Sequence, residues 1–232
     1  MSGDRKGARR RTLRCAGIDL AQVEARLAPW LGVGVRCVPG EGEVLVSLSG
    51  EEPALGELER AVLGLLGEDF YGQDEETLEG AVGRLLRDRR LTLSVAESCT
   101  GGLLSHRITN VPGSSVYFER GVIVYSNRAK EELLGVPGRL IAAHGAVSGP
   151  VAEAMARGIR ELSGSQLALS ITGIAGPDGG TPAKPVGTVF IGLAAAESAR
   201  SRRFLFSGNR ESIKWQSSQQ ALDLLRRYLL AL

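Results

Sequence analysis

A chain of 232 residues with 43% apolar residues is long enough for one substantial core and a smaller companion, and no uninterrupted apolar run approaches the roughly 20 residues that cross a bilayer. Its net charge is only +2, and the basic residues are dispersed after position 12, which gives no strong footprint for nucleic acid and suits a small phosphorylated ligand better. Three widely spaced cysteines, Cys15, Cys37 and Cys99, and only two histidines, His106 and His144, make neither a disulfide framework nor an ordinary zinc site, so free thiols in a reducing, cytoplasmic setting and no bound metal are expected.

Residues 1–11 are basic, with no apolar segment behind them, and are expected to form a disordered leader rather than an export signal. Residues 12–16 predict a short strand, and Asp19 caps an amphipathic helix, AQVEARLAPWL, with Val23, Leu27 and Leu31 on one face. The segments VGVRCV and EVLVSLS flank the turn Pro39-Gly40-Glu41-Gly42 as a hairpin, and a second helix follows over 53–66. These elements make a small α+β domain over 12–75, closed by GEDFYGQDEE, which reads as a linker. Residues 76–232 then alternate. A helix over TLEGAVGRLLRDR precedes the strand LTLSVAE, a helix over 101–108, the strand GVIVYS, helices over 127–135 and 149–163, and the strand LALSIT. The strands GTVFIGLAAA and RRFLFS lead into a C-terminal helix over 210–230. Alternation of this kind predicts a three-layer α/β/α domain with a mixed, mostly parallel sheet.

Two glycine-rich polar segments follow buried strands, where open α/β sheets place their ligand crevice. The first, Glu97-Ser98-Cys99-Thr100-Gly101-Gly102, enters a helix, and its small residues are expected to leave backbone N–H groups free for a phosphate. The second, Thr172 to Gly180, carries glycines that let a ligand approach the backbone closely. Neither fits GxxxxGK[ST] or GxGxxG, and GxSxG, SxxK and HExxH are absent, which disfavours nucleotide hydrolysis, dinucleotide redox chemistry and the common hydrolase arrangements.

Lysine is the more informative residue. Only four of the 28 basic residues are lysines, Lys6, Lys130, Lys184 and Lys214, and lysine, unlike arginine, can surrender its proton once its pKa is lowered. Lys130 falls in the first turn of a helix capped by Ser126 or Asn127, where the helix dipole disfavours the ammonium and partial burial would add to that shift. Upstream, Val111-Pro112-Gly113-Ser114-Ser115 presents small hydroxyls in a turn, and Tyr117 and Tyr125 follow. A serine, a tyrosine and a lysine on adjacent loops define a candidate nucleophile and base set, with the choice of serine left open by spacing.

The motifs AESCTGG (96–102), PGSSVYFERGVIVYSNRAK (112–130), HGAVS (144–148), TGIAGPDGG (172–180) and KPVGTV (184–189) resemble those of the CinA C-terminal family, the nicotinamide-nucleotide amidohydrolases. The resemblance implies hydrolysis of the carboxamide of nicotinamide mononucleotide to nicotinic acid mononucleotide and ammonia, without cofactor. It implies Ser115 as nucleophile, Lys130 as base and Tyr125 assisting proton transfer. Substrate contacts are implied for Ser98, Thr100, Gly101, Gly102, Thr172, Gly173, Gly176 and Arg210, and the assembly is expected to be a homo-oligomer, a dimer or higher. Residues 12–70 resemble the small KH-type domain that precedes this one in longer CinA proteins, whose front domain, similar to molybdopterin-binding proteins, has no counterpart here. The rival readings are a partner-binding protein tied to competence or DNA damage and a catalytically silent nucleotide sensor.

Overall fold

The computed structural model describes residues 9–196 and 198–232, in two compact units that divide between Ala81 and Val82. The first contains β1 (Arg9–Cys15), α1 (Leu20–Leu27), β2 (Val35–Pro39), β3 (Val44–Gly50), α2 (Ala54–Leu66) and β4 (Phe70–Gln73). Its strands form an antiparallel sheet in the order β2-β3-β1-β4. Period-2 burial along β1 and β3 sends Leu13, Cys15, Val44, Val46 and Leu48 to one face. That face meets Val23 and Leu27 of α1 and Leu55, Val62 and Leu66 of α2. The start of α1 is fixed by a reciprocal capping box, Gln22 N–H to Asp19 Oδ1 at 2.8 Å and Asp19 N–H to Gln22 Oε1 at 3.4 Å.

Two expectations change in this unit. Arg9, Arg10 and Arg11, expected within a disordered leader, pair with Gly50, Ser49 and Leu48; residues 1–8 of that leader lie outside the described residues. The segment expected as a linker holds β4, which pairs with β1. Four residues flanked by glycine and aspartate carry too little local pattern to reveal a strand whose partner lies some sixty positions away.

The second unit is built on β5 (Leu93–Glu97), β6 (Phe118–Ile123), β7 (Leu167–Gly173), β8 (Thr188–Ala195) and β9 (Ser198–Leu205). The sheet order is β6-β5-β7-β8-β9. The pairings of β5 with β6 and β7 are parallel and those of β7 with β8 and β8 with β9 antiparallel, so all strands but β8 point the same way. The helix α3 (Leu78–Arg89) leads in, α4 (Leu103–Thr109) joins β5 to β6, and α5 (Asn127–Leu134), α6 (Gly138–His144) and α7 (Gly149–Ser163) join β6 to β7. The chain ends in α8 (Arg210–Leu230). The short α6 is not visible in the sequence pattern. No helix among the described residues is long and apolar enough to cross a membrane.

Both faces of β5 and β7 are covered, and every residue from Leu93 to Glu97 and from Leu167 to Thr172 is buried. Ser94 and Ser170 point at α7, where their hydroxyls reach Ile159 O at 3.4 Å and Ala152 O at 2.6 Å. The alternate residues face the other way, toward the layer containing α4 and α8. At Gly192 of β8 a Cβ would come within 2.6 Å of Ala152 O, so glycine there allows α7 to lie close against the sheet. From β5 the chain turns to β6 on one side, and from β7 it turns to β8 on the other. This divergence opens a crevice beyond the carboxyl ends of β5 and β7.

Candidate functional site

A cavity of about 270 Å³ occupies that crevice. Ser98 enters it from the end of β5, Thr172 and Gly173 from the end of β7, Tyr125 from beyond β6, Lys130 from α5 and Arg210 from the first residue of α8. Gly176 and Asp178 supply part of the loop wall. The structure thus brings together Ser98, Tyr125, Lys130, Thr172, Gly173, Gly176 and Arg210 from the residues singled out by sequence. Thr100, Gly101, Gly102 and Ser115 do not line it.

Lys130 is the central group. Ser126 caps α5 by accepting from Ala129 N–H at 3.0 Å, and this start sets the Lys130 side chain inward, where the residue is 1% exposed. Its Nζ lies 2.8 Å from Val124 O, 3.3 Å from Tyr125 O and 3.2 Å from Ser98 Oγ. No carboxylate among the described residues forms an ion pair with it. Burial therefore pulls its pKa down from the ordinary 10.5. In all three contacts Nζ donates, to two carbonyls and to the Ser98 hydroxyl; loss of one proton would leave two N–H bonds for the carbonyls and a lone pair facing Ser98 Oγ.

The hydroxyl in reach of Lys130 is thus Ser98, and Ser115 stands elsewhere. Ser115 sits in a 3₁₀ turn, Ser114–Val116, immediately before β6, and is exposed. Because β6 runs parallel to β5, with Phe118 beside Leu93, that turn is at the amino end of the strands while Ser98 is at the carboxyl end. Five residues of strand at about 3.3 Å each separate the two ends by roughly 15 Å. The signal was present in the sequence: one serine follows a strand and the other precedes one, and in parallel sheets the ligand crevice lies beyond the carboxyl ends.

The backbone after β5 also departs from expectation. The buried Glu97 carboxylate accepts from the N–H groups of Gly102 (3.1 Å), Leu104 (3.0 Å) and Ser105 (2.8 Å) and from Ser105 Oγ (2.7 Å). An internal anion therefore occupies the start of α4, where a substrate phosphate was expected to find free donors. Gly101 N–H is taken as well, by Ser98 O at 3.1 Å. Thr100 is completely buried, and its hydroxyl has no hydrogen-bond partner among the described residues. Glu97 was legible only as part of the motif; its role follows from the three-dimensional return of α4 over the strand end. The segment after Glu97 is a rigid support for Ser98.

Cys99 adjoins Ser98 in the wall, and burial pushes its thiol up to about 12. It is a neutral wall group rather than a thiolate nucleophile. On the opposite wall Thr172 donates to Ala146 O at 2.9 Å. Lys184 Nζ donates to His144 O at 2.8 Å and Val147 O at 2.7 Å, so the HGAVS segment is held from two sides. Ser148 precedes α7 in the capping position, but its hydroxyl donates to Gly145 O at 2.8 Å and gives α7 no side-chain cap. Arg210 closes the mouth: Nη1 donates to Gly176 O at 2.7 Å and Nη2 to Tyr125 Oη at 2.9 Å.

The fold and site define a three-layer α/β domain that gathers a buried lysine, a serine and a phenol at the carboxyl ends of its parallel strands. The CinA C-terminal domain model matches residues 75–229, and the chain belongs to that family. CinA-like proteins of Syntrophus aciditrophicus and Geotalea daltonii are 46% and 45% identical, across 95% and 99% of this chain and 56% and 58% of their own. The chain thus spans a little over half the length of these relatives. A solved CinA superfamily protein from Klebsiella pneumoniae superposes with a TM-score of 0.65 at 33% identity, covering 67% of this chain and 97% of its own. The competence/damage inducible protein CihA from Agrobacterium tumefaciens gives 0.64 at 35%, covering 66% and 93%.

Proposed function

We propose that the cavity hydrolyses the carboxamide of nicotinamide mononucleotide, with Lys130 as general base and Ser98 as nucleophile. The observation that carries the chemistry is the buried, carboxylate-free Lys130 directed at the Ser98 hydroxyl. The choice of substrate rests on the family resemblance. Neutral Lys130 takes the Ser98 proton, the serine oxygen attacks the carboxamide carbon, ammonia leaves, and water cleaves the ester by the same route. The set needs no metal or organic cofactor. Ser115, to which the resemblance assigns the nucleophile's role, lies at the opposite end of the strands; that position favours Ser98 within a single chain.

An ammonia-release assay on nicotinamide mononucleotide, with parent and Ser98→Ala, is the direct test, set beside a salt-dependent DNA titration. The reading predicts one ammonia per nucleotide from the parent and a loss of about 10² to 10⁴ in the variant. Tight DNA binding without ammonia release would favour the partner-binding alternative.

A further inference from the structure

Arg210 and Tyr125 form a contact that a substrate-binding role for Arg210 alone leaves unexplained. Asn209 caps α8 by accepting from Ser212 N–H at 2.9 Å, which sets Arg210 at a fixed helix start. Its guanidinium then spans two donors' worth of the mouth, from Gly176 O to Tyr125 Oη. The Tyr125 backbone is held as well, since its carbonyl accepts from Lys130 Nζ. Lys130 therefore holds the residue's main chain and Arg210 its phenol.

The hydrogen-bond inventory makes this arrangement directional. A guanidinium donates and never accepts, so the phenol oxygen is the acceptor in that bond. A phenol has one proton, and Arg210 cannot take it. The Tyr125 O–H is consequently available to the cavity, and any negative charge that develops on its oxygen sits 2.9 Å from a permanent cation.

Resting on the amidase reading, we infer that Arg210 is a positioning residue that keeps Tyr125 as the proton donor to the leaving nitrogen. Lys130 takes the Ser98 proton as the serine O–C bond forms. The C–N bond then breaks, its electron pair stays on nitrogen, and nitrogen takes the Tyr125 proton to leave as ammonia. The phenolate, held by Arg210, regains a proton from the Lys130 ammonium. The proton has moved from serine to ammonia, and both Lys130 and Tyr125 return to their starting forms.

A substrate without a phosphate separates this role from phosphate binding. Turnover of nicotinamide mononucleotide and of nicotinamide riboside is measured for the parent, Arg210→Gln, Arg210→Lys, Tyr125→Phe and Arg210→Gln/Tyr125→Phe, with thermal melts as a check on folding. The inference predicts that Arg210→Gln lowers kcat by about tenfold or more on both substrates, within the range of lost acid catalysis. It also predicts that the double variant is no worse than Tyr125→Phe alone. Arg210→Lys keeps the charge but not the fork, so its kcat should stay as low as that of Arg210→Gln on both substrates. An Arg210→Gln variant with raised KM for the mononucleotide alone, and unchanged riboside turnover, would reduce Arg210 to a phosphate ligand. Additive losses in the double variant would likewise sink the coupling. A parent that releases no ammonia overturns the amidase reading itself, a result distinct from either of these.

Discussion

Two serine-bearing turns belong to neighbouring parallel strands and face different surroundings. The turn after β5 is clamped from within by Glu97 and presents Ser98 to a buried lysine, whereas the turn before β6 leaves Ser115 exposed at the other end of the sheet. Both have the residue types expected of a nucleophile loop. What separates them is strand direction, because only the carboxyl ends of β5 and β7 border the crevice left by diverging connections. Access to the crevice on this fold depends on which end of a strand a residue occupies, more than on how near it lies in sequence to Lys130.

The largest expected effect contrasts the two turns directly. Ser98→Ala is predicted to lower turnover by about 10² to 10⁴, and Ser115→Ala to stay within a few fold of the parent. Steady-state ammonia release from both variants checks this. The reverse pattern would move the nucleophile to Ser115 and require a route that brings it to Lys130.

The support of the first turn gives the next effect. Charge-assisted hydrogen bonds contribute about 1.5 to 3 kcal/mol each, and a glutamine amide set against the same backbone N–H groups forfeits part of that set. Glu97→Gln is therefore predicted to lose several degrees in melting temperature and about tenfold in kcat, both within the cost of a few kcal/mol of disrupted contacts, with KM little changed. A calorimetric melt beside kinetics separates this outcome from a purely local packing change, which would lower Tm and leave kcat intact.

Much of the architecture was legible in the sequence. The alternation after residue 76 and the cap of α5 followed from apolar periodicity and a serine before a helix; the rarity of lysine singled out Lys130, but its near-complete burial came only with the fold. The resemblance supplied the family and the substrate proposed above, and most of the contact residues it implies line the cavity. What escaped was set by distant parts of the chain: β4 is recognisable only once β1 is there to pair with it. Glu97 is a capping anion only because α4 folds back over it, and that occupancy removes the donors expected for a phosphate. The place of Ser115, by contrast, was within reach of the sequence, since it precedes a strand of a sheet expected to be mostly parallel.

A smaller effect concerns stability and pH. Since burial lowers the Lys130 pKa, the folded chain binds fewer protons than the unfolded chain between that lowered value and the ordinary 10.5, and the parent gains stability as pH rises through this window. A Lys130→Met variant lacks the effect. The melting temperature of Lys130→Met minus that of the parent should therefore fall as pH rises from 7 toward 10, by about 2 to 4 °C for each kcal/mol of linkage. A difference independent of pH would show that Lys130 carries no lowered pKa.

The central claim is that Lys130 accepts a proton rather than supplying a charge, and the turnover number of Lys130→Arg beside that of Lys130→Ala tests it most directly. A guanidinium stays protonated at any working pH, so arginine is predicted to fail nearly as badly as alanine, by about 10² to 10⁴, with folding verified by circular dichroism. An arginine variant within about tenfold of the parent, well short of the loss expected for a missing general base, would contradict the account.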